Sequence, residues 1–358
     1  MNVEYVELSH EGVAVRASVV PAGATLALTG EVFPTTADGV VVKQDVEGQL
    51  DGALANLETV LNKVGASAKT LARLNLYAET PEAAVSARKL LDARLKCPVS
   101  AVVTASPQPG ALVAVDAVAV ATAETSPDPG NVRLLKSNRA VYISGMAAQG
   151  EMGPATRETL EKLGGVLDHL KIDRKDVVHV KLFLRDARDI AASAEELFNF
   201  FHRQPPPATW VQWTMKDPIE IELVAQGAAH PNADTVTYQT PPNVKPSPLY
   251  SRITTVHGGR AIYTSGVYAG AKTSDAAAET RLALTALREV VKKAGGDFEH
   301  LVKATYYPAT DATSAALNQV RPEFYNPARP PAASKAPVTH TGDAESEITL
   351  DLIAVTAK

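Results

Sequence analysis

Leu50, Leu54, Leu57, Leu61 and Val64 form an apolar stripe at helical spacing, and the stripe recurs twice along the chain. The first recurrence is Thr156, Leu160, Leu163, Leu167 and Leu170; the second is Thr280, Leu284, Leu287, Val291 and Ala294. The same two offsets carry Leu71, Leu74, Leu76 and Tyr77 onto Val177, Val180, Leu182 and Phe183, and then onto Leu301, Ala304, Tyr306 and Tyr307. Two elements of different period that stay in register across three copies are not a product of chance apolar content. The chain is read as a triplicated domain, with repeats over 1–124, 125–236 and 237–358.

Each repeat, at roughly 120 residues, is long enough to bury a modest core of its own. Lys and Arg number 35 against 40 Asp and Glu, so the net charge is −5, and the sequence carries no basic stripe to grip nucleic acid. The start, MNVEYVELSHEGVAV, has no basic region followed by an apolar stretch, and no later run has the length to span a bilayer, so the expected address is the cytoplasm, with no membrane partner. Cys97 is the only cysteine, which excludes an internal disulfide and disfavours a thiolate metal site. Leu95 and Pro98 give it no activating neighbour, and it reads as structural.

Two Pro-rich segments, Glu124–Asn131 and His230–Pro248, fall between repeats and read as linkers. Within a repeat the order is a hairpin-like strand pair, a helix, a strand, a second helix and a final strand or strand pair. In the third repeat these are Ser251–Val256, Ala261–Val267, Ala277–Ala294, Leu301–Tyr307, Ser314–Phe324 and Ile348–Val355. Leu301–Tyr307 alternates, with Lys303 and Thr305 opposite Ala304 and Tyr306, as suits a sheet covered by helices on one face and by another surface on the other. The expected class is α+β, each repeat a mixed sheet with helices on one face. Three such repeats would cover one another's open faces about a pseudo-threefold axis, as an intramolecular pseudo-trimer that stays monomeric.

The third repeat carries PSPLYS at Pro246–Ser251, YTSG ending at Gly266, Asn318 in its second helix, NPAR at Asn326–Arg329 and a final strand ending LIAV. The second has ISG ending at Gly145, PPPAT at Pro205–Thr209 and IEIELVA at Ile219–Ala225; the first has LTG ending at Gly30 and CPVSA at Cys97–Ala101. In order and spacing these segments resemble the RidA family, also called YjgF or L-PSP, whose members are typically homotrimers of single domains with a chorismate-mutase-like fold. The resemblance implies hydrolysis of small reactive enamine or imine carboxylates to 2-keto acids and ammonia, with no cofactor, in a pocket between adjacent domains. An arginine of the PAR motif would grip the substrate carboxylate, and a glutamate of the final strand would hold the attacking water. A guanidinium holds a carboxylate at two points, about 1.5–3 kcal/mol for a charged hydrogen bond, and water attacking an imine carbon needs positioning and a proton acceptor.

Carried over residue by residue, the resemblance sets Arg329, Thr209 and Val99 at the arginine position and Thr349, Glu220 and Ala114 at the glutamate position. No repeat keeps both groups, and at most one inter-repeat pocket holds a carboxylate in the family manner. The expected catalytic residues are Arg329 and Glu347, the latter replacing Thr349 after a register change on the same strand face. Tyr250, Ser265, Gly266, Asn318 and Thr349 are expected to bind substrate. Each has a bland counterpart: a solvated loop arginine, a strand-end glycine, a chain-anchoring tyrosine, an exposed helical asparagine. The eight histidines are scattered without HxxxH or HExxH spacing, so no metal is expected. Neither ISGMAAQG nor TSGVYAG is a nucleophile elbow or a phosphate-binding loop. A non-catalytic binder of small carboxylate metabolites is the alternative reading. Endoribonuclease activity is disfavoured by the acidic charge balance and the lack of a general acid/base histidine pair.

Overall fold

The computed structural model describes residues 2–357 except 128, 129, 231, 242, 243, 245 and 274, so parts of both Pro-rich segments lie outside the described residues. In the first repeat, strands β1 (Glu4–His10), β2 (Val13–Val20) and β3 (Thr25–Thr29) precede α1 (Val46–Asn62), β4 (Leu71–Ala78), α2 (Pro81–Arg94), β5 (Val99–Val103) and β6 (Val113–Val120). The second runs β7 (Val132–Lys136), β8 (Ala140–Ala148), α3 (Met152–Leu170), β9 (Val177–Leu184), α4 (Ile190–Phe200), β10 (Ala208–Gln212) and β11 (Ile219–Gln226). The third runs β12 (Val236–Gln239), β13 (Ile253–Val256), β14 (Ala261–Thr264), α5 (Ala276–Lys293), β15 (Leu301–Pro308), α6 (Asp311–Val320), β16 (Ala332–Lys335) and β17 (Ile348–Val355). The fold is α+β, with three mixed sheets and two helices against each.

Local chemistry explains where the helices begin. Asp45, Thr80, Asp275 and Thr310 each accept a backbone N–H of the first turn, at Gly48, Ala83, Ala278 and Thr313, and Pro81 needs no such partner at the first helical position. The repeated stripe is the buried face. Leu50, Leu57 and Leu61 pack on one sheet, Leu160, Leu163 and Leu167 on the second, and Leu284, Leu287 and Val291 on the third. Each such side chain contributes about 1.5–3 kcal/mol by leaving water.

The sheets are not assembled repeat by repeat. Their orders are β5-β4-β6-β3-β7, β10-β9-β11-β8-β13-β12 and β1-β2-β14-β17-β15-β16. Each expected hairpin is therefore opened: β2 and β3, β7 and β8, and β13 and β14 part into different sheets. The first sheet is finished by β7, the second by β12 and β13, and the third, which holds the last strand of the chain, by β1 and β2 from its start. This exchange covers inner strand edges that would otherwise expose unpaired N–H and C=O groups. Strand β12 lies inside the second Pro-rich segment, where Thr-Val-Thr-Tyr alternates, and β16 follows Pro331 in a stretch read as a loop; α6 begins three residues before the expected Ser314.

The sheet faces turned away from the helices meet one another. At one end Leu26, Tyr142, Val224, Tyr263, Val302 and Ile353 pack together, and at the other Tyr77, Phe183, Trp213 and Tyr307 do so. Between these apolar layers lies a polar one. Arg73, His179 and Lys303 occupy matching positions in β4, β9 and β15; Asp116, Glu222 and Asp351 match in β6, β11 and β17, opposite Asn75, Lys181 and Thr305. Lys303 Nζ donates to Glu222 Oε2 at 2.6 Å, and Arg73 donates to Asp351 Oδ1 at 2.5 Å, so both pairs cross repeat limits. Asp116 accepts from Asn75 (2.6 Å), Tyr77 (2.7 Å) and Thr209 (2.8 Å). Burial pushes its carboxyl up, but Lys181 and the hydrogen bonds from Tyr77 and Asn75 outweigh that and hold it below the ordinary range. Burial lowers His179 to about 4, which leaves a neutral imidazole. Arg73, Lys181 and Lys303 thus face Asp116, Glu222 and Asp351 in a charge-balanced layer.

Candidate active site

Three junctions between strand edges link residues 1–124, 125–236 and 237–358. Gly30 and Gly266, just beyond β3 and β14, meet the parallel edge strands β10 and β5, whereas Gly145 lies within β8 and its neighbour Ser144 meets β16. Gly30 lies against Ala208, Gly145 lies on the repeat-2 side where Ser144 Oγ accepts the N–H of Ala333 (2.8 Å), and Gly266 donates its N–H to Val99 O (3.1 Å). Strand register fixes which residues correspond. Ala114, Glu220 and Thr349 pair with Tyr77, Phe183 and Tyr307, as the comparison of final strands expects. On the edge strands Ser100, Thr209 and Ser334 pair with Asn75, Lys181 and Thr305. The counterpart of Thr209 in the third repeat is therefore Ser334, five residues beyond Arg329, because Pro330 and Pro331 delay the start of β16.

The expected site residues do not form one group. Ser265, Gly266 and Thr349 share the cleft between the third and first repeats, where a Cβ on Gly266 would lie 2.8 Å from Thr349 Oγ1. That cleft is occupied by Tyr268, whose hydroxyl donates to Ala101 O (3.1 Å) and accepts from Ala101 N–H (2.8 Å), with the Arg88 guanidinium 4.2 Å from its ring. Arg329 is half-buried on the loop before β16, with its guanidinium 5.4 Å from the Tyr238 ring. Glu347 is exposed just before β17; its carboxylate accepts from Thr310 Oγ1 (3.1 Å), and its N–H donates to Glu279 (3.0 Å). Exposed Asn318 accepts from Arg321 (2.8 Å). Tyr250 lies under Arg252 in the cleft between the second and third repeats.

That second cleft concentrates the reactive groups. Glu220 projects from β11 beside Gly145: a Cβ there would stand 1.9 Å from Glu220 Oε1, so only glycine leaves room for the carboxyl. Glu220 Oε1 is buried and has no partner among the described residues. Burial and the neighbouring Glu222 push the carboxyl up to about 7, against the pull of Lys303, Ser334 and Arg252. Ser334 donates its hydroxyl to Glu222, between the two acids. From the third repeat Arg252 donates to Gly145 O (3.3 Å) while its Nε is buried without a partner, and its guanidinium lies 5.0 Å from the Tyr250 ring. Lys335 donates to Ser314 (3.0 Å); burial and Arg321 lower its affinity for a proton, and Glu220 acts against them. Gly145, Met146 and Ala147 are partly exposed, so the cleft meets solvent. A buried carboxyl raised toward neutrality, beside an arginine whose buried Nε has no partner among the described residues, has the proton affinity of a general base. Sequence reasoning set Glu220 at the glutamate position but passed over Arg252, Ser334 and Lys335; the Tyr-Ser-Arg run after the linker was the available signal.

The family model described as Endoribonuclease L-PSP matches residues 242–356. No curated protein matches the chain. Among solved structures, a putative endoribonuclease from Thermotoga maritima MSB8 is 23% identical over 25% of this chain and 81% of its own, with a TM-score of 0.24. Rv2704 of Mycobacterium tuberculosis, a member of the YjgF/YER057c/UK114 family, is 22% identical over 26% and 82%, with a TM-score of 0.24. TdcF of E. coli with bound serine is 20% identical over 26% and 84%, with a TM-score of 0.24.

Proposed function

We propose that this chain, which belongs to the endoribonuclease L-PSP or RidA/YjgF family, hydrolyses small imine or enamine carboxylates in the cleft between its second and third repeats. The observation that carries the reading is Glu220 beside Gly145, with an unpartnered oxygen and a proton affinity near neutrality, facing Arg252. Arg252 Nε and its flanking amine would take the substrate carboxylate, with Tyr250 backing the guanidinium. Glu220 would accept a proton from water as it adds to the imine carbon. Glu220 returns that proton to the nitrogen to complete the carbinolamine, then takes the carbinolamine hydroxyl proton and passes it to the departing nitrogen as the C–N bond breaks, which gives a 2-keto acid and ammonia.

The repeats over 1–124, 125–236 and 237–358 are read as one covalent trimer, a reading supported by strand exchange that returns β1 and β2 to the sheet of β17. Within such a ring each cleft is free to diverge: Ala114 stands in one, Glu220 in the second and Thr349 in the third. Arg329 and Glu347 are assigned no part in the proposed reaction, since their partners are Tyr238 and Thr310. The test is hydrolysis of freshly generated 2-iminobutyrate with wild type, Arg252→Ala and Arg329→Ala. The proposal expects loss with the first variant and retention with the second; a dependence on Arg329 instead would refute this assignment.

A further inference from the structure

The cleft between the first and second repeats lacks the glutamate of its neighbour, since Ala114 stands there, yet a solvent-open cavity of ≈ 620 Å³ lies along it. That volume lies in the range of small-molecule sites, about 300–1,000 Å³. Its walls include Phe33, Phe198, Trp210 and Pro205–Pro207, which offer flat apolar surface. Two polar groups in these walls have no partner among the described residues. Glu31 is 6% exposed; its Oε2 accepts the Trp210 backbone N–H at 3.2 Å while its Oε1 is buried and unpartnered, as is the Trp210 indole N–H. A buried polar group without a partner costs about 1–3 kcal/mol, and because neither atom has surface open to the cavity, a ligand matches them once the two side chains turn toward it.

We propose that this cavity binds a planar aromatic ligand whose edge offers an uncharged hydrogen-bond acceptor, of the lactam or aryl-amide class, to the Glu31 carboxyl. The carboxyl suits this because it is kept protonated: burial, with Asp116 adding to it, raises Glu31 to about 8 against the Trp210 N–H and Lys181. Its O–H then donates to the acceptor, while Phe33, Phe198 and Trp210 cover the ring faces. Arg133 and Arg203 also line the cavity, and neither is paired with a carboxylate among the described residues. The chain thus carries, beside the proposed hydrolytic cleft and independent of it, a second site of different chemistry.

The probe is quinolin-2-one, followed by saturation-transfer NMR and by the fluorescence of Trp210 in a Trp213→Phe background, with a thermal melt of every variant. Wild type should bind. Glu31→Gln, which keeps an uncharged donor, should stay within about threefold of wild type, and Glu31→Leu should lose at least tenfold. Phe198→Ala, which trims a partly exposed wall, should lose about fivefold while melting normally. Absence of saturation transfer to wild type at millimolar probe, or binding by a folded Phe198→Ala and Glu31→Leu equal to wild type, would overturn the proposal.

Discussion

Replacing Lys303 with Met isolates the role of the central charged layer. Lys303 Nζ lies 2.6 Å from Glu222 Oε2, with the side chains 6% and 9% exposed, and the pair joins the third repeat to the second. The substitution keeps most of the apolar stem but leaves Glu222 buried with only the Ser334 hydroxyl and the field of Lys181. Breaking a buried pair from one side costs about 3–5 kcal/mol. Unfolding entropy of about 2.1 cal/mol/K per residue gives roughly 0.75 kcal/mol/K for all 358 residues, so a cost of about 4 kcal/mol lowers Tm by about 5 °C if the whole chain melts as one. If a third of the chain melted alone, the same cost would lower its Tm by roughly 16 °C. The strand exchange links every sheet to the next, so a single transition shifted by the smaller amount is expected in calorimetry. Pairing Lys303→Met with Glu222→Leu should recover most of the loss, because the stranded charge is then gone. A destabilisation below about 1 kcal/mol for Lys303→Met in urea titration, or a melt split into separate steps, would refute the reasoning.

The remaining predictions concern the two clefts. Folding raises Glu31 from 4.5 to about 8, so the folded carboxyl holds its proton more tightly than the unfolded one, and wild type loses stability as pH rises from about 4.5 through about 8. Glu31→Gln should therefore melt higher than wild type at pH 9 and close to it at pH 5; a difference independent of pH would contradict this. Gly145→Ala places a methyl 1.9 Å from Glu220 Oε1, the free end of a side chain, so the fold should survive with Tm changed by a few degrees while imine hydrolysis falls at least tenfold. Unchanged turnover in a folded Gly145→Ala protein would argue against Glu220 as the proton acceptor.

The helices and final strands were legible because their signals are local. The stripe through Leu50, Leu57 and Leu61 has one period and one buried face, and Ile348–Val355 is found with the bounds its sequence gives. The partners of the short strands were not. His257–Arg260 joins β13 to β14 as a tight turn would, but the same few residues equally bridge two abutting sheets, and only the neighbours β8 and β17 decide between them. The candidate site was half legible for a related reason. Aligning the LIAV-type endings of the final strands matched Glu220 with Thr349, and strand pairing gives the same match, whereas the PAR string drew attention to Arg329 although two prolines carry the paired strand onward to Ser334. Lone charges inside apolar strands, Glu222 and Asp351, were present in the sequence as a sign of buried ion pairs, and Asp116 as a sign of a buried hydrogen-bond network.

The most direct test of the account is the pH dependence of 2-iminobutyrate hydrolysis by wild type and Glu220→Gln, read by loss of the semicarbazone formed in competition. Since Glu220 must be ionised to accept a proton and is raised to about 7, kcat/KM should climb as pH passes through about 7 and should collapse in the Gln variant. A Glu220→Gln protein that folds and turns over the imine at the wild-type rate, with the same pH profile, would contradict it.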